Sequence, residues 1–195
     1  SVDGISSKTP TDAASLNQAI GQAKFWRAYA YFTLVRLFGD IPLTLTNEND
    51  DFTMKPSSVE QVYEQIVADL TSDECEGLPA SYKNAPAFLN GVNVYVTKQA
   101  VEATRAAVYM AMAGWPLEKG TAYYKKAADE AKKVIEGERN GIYDIRMDEN
   151  FYDVYAMSNN YNKETILGIN YSPNVDWVQD SQLTSCDQFE SLGGW

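Results

Sequence analysis

The 195-residue chain is long enough to bury one real core, and its 45% hydrophobic share is ordinary for a globular protein. A net charge of −11 repels phosphate backbones and argues against nucleic acid as a partner. The chain has no histidine, so a Ser-His or Cys-His nucleophile is excluded and the commonest metal ligand is missing.

Residues 1–14 form a leading loop with Gly4, Ser6, Ser7 and Pro10. Thr11 or Asp12 caps the helix that follows, which runs to about Phe38. Phe25, Tyr29, Phe32 and Val35 fall on one face, and Trp26, Ala30, Leu34 and Leu37 fill a second. A helix apolar almost all round is expected in the middle of a helical protein. It is too interrupted to span a bilayer: Lys24, Arg27 and Arg36 leave only Ala28 to Val35 uncharged, against the roughly 20 residues a span needs. Gly39-Asp40 supplies a C-terminal cap and turn, and Pro42 forbids a quick restart. Arg27 and Arg36, nine residues apart, sit on opposite sides of this helix. Each is read as a buried structural guanidinium, with Asp40 and Asp69 as candidate partners.

The acidic run Asn47 to Asp51 lacks the central Gly and terminal Glu of a calcium loop and reads as a solvated loop. Ser57 with Glu60 reads as a capping box. Val59, Val62, Tyr63, Ile66, Val67 and Leu70 then form one stripe of a second helix, over 57–72. Residues 82–96 read as a connection, with Val92, Val94 and Val96 alternating as a short extended piece. Thr97 caps a third helix to Ala113 whose inward positions are small: Ala100, Ala103, Ala107 and Ala111. A fourth helix spans Thr121 to Glu136, with Tyr124, Ala127, Ala128, Ala131, Val134 and Ile135 as its buried stripe. Lys126–Glu130 and Asp129–Lys133 are i,i+4 pairs on its wet side. After Gly141 the helical period fails; Phe151 to Tyr155 is a short apolar patch and Ile166 to Tyr171 reads as a strand.

The helix pairs 12–38 with 57–72 and 97–113 with 121–137 are self-similar, in the manner of degenerate tetratricopeptide repeats. The fold class is therefore all-α: tetratricopeptide-like helix pairs with long loop insertions and little β.

The stretch AKFWRAYAYFTLVRLFGDIPL also resembles the signature helix of the SusD/RagB family. Arg27, Ala28, Tyr31, Phe32, Leu34, Val35, Arg36, Phe38, Gly39, Asp40, Pro42 and Leu43 match its pattern. Val62, Tyr63, Ile66, Asp69 and Leu70 match its next helix, and 162–166 resembles its N-x-E-x-I segment. The resemblance implies a surface-exposed lipoprotein of the outer membrane, its lipid anchor outside this chain. Such a protein binds oligosaccharide or polysaccharide and delivers it to a TonB-dependent SusC-like transporter. It implies a longer protein too: a SusD-like helical domain at 15–171, then residues 172–195 as a loop leading into a missing C-terminal portion. The alternative from another class is a tetratricopeptide-type module that binds only protein; a lipobox cysteine upstream discriminates the two.

No catalytic constellation, cofactor motif or metal set survives inspection, so no enzyme is expected. Asp50 and Asp51 are adjacent and point apart, and no phosphate-cradling Gly loop occurs. Cys75 and Cys186 read as free or buried thiols, with a disulfide between them left open. Sugar binding needs aromatic rings beside amides in loops, and Tyr171, Asn174, Trp177 and Gln179 give that combination. Tyr82, Asn84 and Phe88 form a second, weaker set. Trp115, at a helix turn, reads as packing between helices. Most of the 13 tyrosines are read as core.

If Phe32 lies on the buried face of the first helix, Phe32→Asp puts an unpaired charge in the core and unfolds the protein. A thermal melt checks this; an unchanged melting temperature would mean the helix is misplaced.

Overall fold

The computed structural model describes residues 12–46, 53–83, 88–89, 92–93, 95–156, 159 and 162–169. The order is α1 (Ala13–Phe38), α2 (Val59–Leu70), α3 (Asp73–Glu76), β1 (Phe88–Leu89), β2 (Val92–Asn93), α4 (Lys98–Ala113), α5 (Thr121–Arg139) and α6 (Phe151–Val154). α1 packs on α2, α4 packs on α5, and α2 meets α4 between the pairs, giving the expected layer of tetratricopeptide-like hairpins. The only sheet among the described residues is a two-stranded antiparallel hairpin, with Phe88 opposite Asn93 and Leu89 opposite Val92.

Local chemistry sets the helix ends. Asp12 caps α1, its carboxylate accepting from the Ser15 amide at 2.7 Å. At the other end Gly39 adopts a positive φ of 72° and its amide returns to the Val35 carbonyl. The cap of α2 falls one residue later than the sequence reading, on Ser58 with Gln61 rather than on Ser57 with Glu60. The reason is that Ser57 is already engaged: its backbone exchanges both hydrogen bonds with Ile41 in an isolated bridge. Asp40 completes this corner by accepting from the Val59 amide at 2.9 Å.

The core is built from Phe25, Ala28, Phe32 and Val35 of α1, Val62, Tyr63, Ile66 and Leu70 of α2, and Ala100, Val101 and Val108 of α4. Gly21 lets α3 touch α1: a Cβ there would sit 2.5 Å from the Glu74 carbonyl oxygen. The Cys75 thiol is buried at this contact, donates to the Gly21 carbonyl, and is pushed up to about 11 by its burial. Cys186, with which a disulfide is left open, lies outside the described residues.

Ion pairs join the elements. Arg27 grips Asp69 through two bonds of 2.8 and 2.6 Å, tying α1 to α2 as expected. Arg36 is different: it is exposed and lies over the Phe32 ring, 5.1 Å from its centroid, so it is not a buried ion-pair partner. Arg105 of α4 is 2% exposed and reaches three elements at once: Glu76 of α3, Glu130 of α5, and the Leu70 carbonyl closing α2.

Several side-chain placements depart from the periodicity. The second face of α1 is not buried among the described residues; Trp26, Ala30 and Leu34 are exposed and Leu37 is 70% exposed. On α4 Ala100 is buried as expected, with Val101, Arg105, Val108 and Met112, whereas Ala103 and Ala111 are half-buried and Ala107 is exposed. On α5 the buried residues are Ala127, Glu130, Val134 and Gly137; Tyr124, Ala128 and Ile135 are exposed. The helix is rotated because Arg105 draws Glu130 inward, and because a Cβ at Gly137 would sit 2.2 Å from the Tyr143 ring that packs there. The i,i+4 pairs consequently become Lys125–Asp129 and Lys132–Glu136. Lys126 instead lies over the Tyr109 and Tyr123 rings. The stretch 166–169 is bent rather than a strand, and Phe151–Val154 is a helical turn.

The ion pairs give an acid dependence. Burial alone would raise the Glu76 carboxyl, but the Arg105 hydrogen bond and charge, with Lys98 and Lys133, hold it below its ordinary 4.5. A Lys24 hydrogen bond holds Glu74 down likewise. Both groups bind fewer protons folded than unfolded, so their contribution is present above about pH 4.5 and is lost as pH falls through the depressed folded values. Urea midpoints are expected to be flat at neutral pH and to fall below about pH 4.5. The Glu76→Gln variant should start less stable and fall less.

Candidate functional site

The scaffold presents two surfaces on which a ligand can be considered. The first is an open groove of about 510 Å³ between α1, α4 and residues 164–167. Tyr29 and Phe32 form one wall, Ala103, Thr104 and Ala107 the floor, and Glu164 to Leu167 the far rim. Three of the alanines taken as inward-facing, Ala100, Ala103 and Ala107, line this depression. The rim is held by polar bonds: Asn162 Oδ1 accepts from the Glu164 and Thr165 amides, and Glu164 accepts from the Asp148 amide at 3.0 Å.

The second surface is the helical turn α6. Phe151, Tyr152 and Tyr155 stand 70%, 81% and 74% exposed, in contrast to the core rings Phe25 and Tyr63. Phe151 contacts Tyr155 at 5.3 Å and Tyr152 at 6.2 Å between centroids, both edge-on. The periodic reading missed this cluster because three aromatics in five residues look like packing; only the surrounding Asn and Asp residues signalled a wet surface.

Tyr171, Asn174, Trp177 and Gln179, the residues predicted to bind ligand, lie outside the described residues. They follow in sequence the rim segment that ends at Ile169. Of the weaker set, Asn84 also lies outside them, and Phe88 belongs to the hairpin. Tyr82 is a core residue: it is buried, its hydroxyl donates to the Val96 carbonyl and accepts from Gln22, and burial pushes it up to about 12. Gln22 closes the same knot by donating to the Val96 carbonyl and accepting from its amide, so these groups stitch the connection to α1. Trp115 is 84% exposed at the α4–α5 turn and does not pack between helices.

No group of three or more His, Cys, Asp or Glu side chains among the described residues could hold a metal ion. No helix among them is long and apolar enough to cross a membrane. The pKa values moved furthest upward belong to hydroxyls and a thiol buried in the core, which suits structure rather than acid–base chemistry.

Comparison with known proteins gives consistent matches. The family model SusD-like_3, described as starch-binding associating with outer membrane, matches residues 1–110. The chain is 31% identical over 166 residues to SusD-like protein P2 of Formosa agariphila, covering 82% of this chain and 28% of that protein. It is 27% identical over 180 residues to a SusD-like protein of Bacteroides ovatus, covering 88% and 30%. It also resembles the crystal structure of a SusD superfamily protein from Parabacteroides distasonis, with a TM-score of 0.65, 28% identity, and coverage of 78% of this chain and 30% of that one. The chain therefore spans about 30% of the length of these relatives.

The two reassigned aromatics can be told apart by stability. Tyr82→Phe removes a buried hydroxyl with two partners and should cost about 1–2 kcal/mol in urea unfolding. Trp115→Ala removes an exposed ring and should change stability by less than about 0.5 kcal/mol.

Proposed function

This chain belongs to the SusD/RagB family, and on that premise we propose that it forms part of a protein that captures oligosaccharide or polysaccharide at the cell surface. The observation that carries the reading is the family-model match across residues 1–110, which takes in α1, α2 and most of α4. The captured glycan passes to a TonB-dependent, SusC-like transporter in the outer membrane. The protein is held there as a surface-exposed lipoprotein by a lipid anchor outside this chain. Residues 15–171 form the helical domain, and 1–14 and 172–195 flank it. The protein is a binder, not an enzyme.

The geometry supports this division of labour. The helix pairs are locked by buried packing and ion pairs, so they hold position while loops contact the ligand. The exposed apolar residues Trp26, Leu34 and Leu37 on α1 suit contact with another protein surface, as delivery to a transporter requires. The ligand residues proposed are Tyr171, Asn174, Trp177 and Gln179: rings to stack on sugar C–H faces, amides to meet the hydroxyls.

Calorimetry or affinity electrophoresis against soluble starch and other polysaccharides tests the function. Binding to peptides with none to any glycan would overturn the sugar reading. For the residues, Tyr171→Ala and Trp177→Ala should each keep helical content and melting temperature yet weaken binding. Capture needs dissociation constants of only about micromolar to millimolar. Losing one ring removes about 1–2 kcal/mol of that, enough to make binding hard to detect. A lowered melting temperature for Trp177→Ala, with normal binding by Tyr171→Ala, would show that Trp177 packs instead.

A further inference from the structure

We propose that Phe151, Tyr152 and Tyr155 of α6 form a second carbohydrate platform, separate from the loop at 171–179 and selective for neutral pyranose chains. The inference rests on the glycan-binding reading given above.

The first ground is how α6 is held. None of its residues is buried, so its rings do not anchor it. Polar bonds do so instead: Asn150 Oδ1 accepts from the Tyr152 amide at 3.2 Å, Asn159 donates to the Asp153 carbonyl at 2.8 Å, and Asn162 donates to the Val154 carbonyl at 3.2 Å. Three amide side chains thus hold the backbone, and the rings are exposed. Exposing three aromatic rings has a hydrophobic cost unless something covers them.

The second ground decides what covers them. Two of the buried tyrosines have their hydroxyls bonded, Tyr82 to Val96 and Tyr143 to Glu102, whereas Tyr63 and Tyr109 are buried by packing alone. The Tyr152 and Tyr155 hydroxyls have no partner among the described residues, although both rings are exposed. A purely apolar partner would bury these two hydroxyls unsatisfied, at a real desolvation penalty. A pyranose satisfies both requirements: its C–H face covers a ring and its hydroxyls bond the phenols. The edge-on ring pairs make a faceted surface, which suits a turning polysaccharide chain better than a flat sheet would.

The third ground is charge. Asp144, Asp148, Glu149 and Asp153 surround the cluster in sequence, against Arg146 and Lys163, and Lys163 is already paired with Asp144. The local field repels uronate and sulfate groups and leaves neutral sugars as the class that fits.

The test uses the protein as its gene encodes it. Affinity electrophoresis is run in gels containing soluble starch, glucomannan, arabinoxylan or polygalacturonate. Wild type is compared with Phe151→Ala, Tyr155→Ala and Tyr155→Phe, each with a thermal melt. The expected result is retardation by at least one neutral polysaccharide. Both Ala variants should lower affinity at least about five-fold with unchanged melting. Tyr155→Phe, which keeps the ring, should show a smaller loss. Retardation of wild type with the Ala variants unchanged overturns the platform and leaves the proposed function standing. So does binding to polygalacturonate alone. A fall of several degrees in the melting temperature of the Ala variants also overturns it, because the rings then belong to the protein interior. No retardation by any polysaccharide overturns both readings.

Discussion

The guanidinium of Arg105 is the contact on which the arrangement of helices depends. A buried cation must be paired, because leaving it alone in an apolar interior costs several kcal/mol. The pairing here cannot be local. Arg105 leaves α4 and finds Glu76 on α3, Glu130 on α5 and the last-turn carbonyl of Leu70 on α2. These partners lie on three other helices, so satisfying one side chain fixes the relative height and rotation of four elements. The apolar contacts then fill space already defined. A second buried polar contact, the Tyr143 hydroxyl donating to Glu102, continues the same seam and pins the chain leaving α5 against α4. Burial, then the Glu102 hydrogen bond and nearby negative charge, raise that phenol above its ordinary range.

The same seam explains where sequence periodicity was enough and where it failed. On the first face of α1 and on α2 most buried residues are apolar and the stripe is read correctly: Phe25, Phe32 and Val35 of α1 and Val62, Tyr63 and Ile66 of α2 join one core. The Arg27–Asp69 pair was legible as well, since both residues stand in otherwise apolar stripes and each demands a partner. On α5 the rule that apolar means inside finds Ala127 and Val134 but misses Glu130 and Gly137. Glu130 is hydrophilic yet nearly buried, and Gly137 contributes no side chain but accommodates the Tyr143 ring. Neither carries hydrophobicity, so neither registers in a periodicity argument. Their role appears only once α4 is placed opposite them. The cap of α2 shows a milder form of the same limit: Ser57 and Ser58 both head an acceptable capping box. The choice is made by Ile41, distant in sequence, which takes the Ser57 backbone.

The proposed binding surface is legible in kind rather than in place. Aromatic rings beside amides are visible in the sequence at 171–179 and at 150–162 alike. What separates an exposed ring from a packing ring is its burial, and only coordinates reveal that. Tyr82 and Tyr155 look equivalent as letters. One is bonded to a carbonyl at 2.8 Å in the core, and the other is exposed, its hydroxyl without a partner among the described residues.

The split between scaffold and loops also follows from the energetics. Burying two helix pairs through Phe25, Phe32, Ile66 and Val108 supplies rigidity that no short loop could generate for itself. A glycan offers few apolar atoms and many hydroxyls, so its net binding energy is small and is easily lost to the entropy of ordering a loose site. A weak ligand therefore needs its rings held before it arrives. For the platform proposed at α6, Asn150, Asn159 and Asn162 bond the backbone, and none of the turn's residues is buried. Rings used to anchor the turn would be unavailable to a sugar. Amide anchoring frees them, which is why an asparagine-rich stretch around exposed aromatics is the physical signature to seek in such chains.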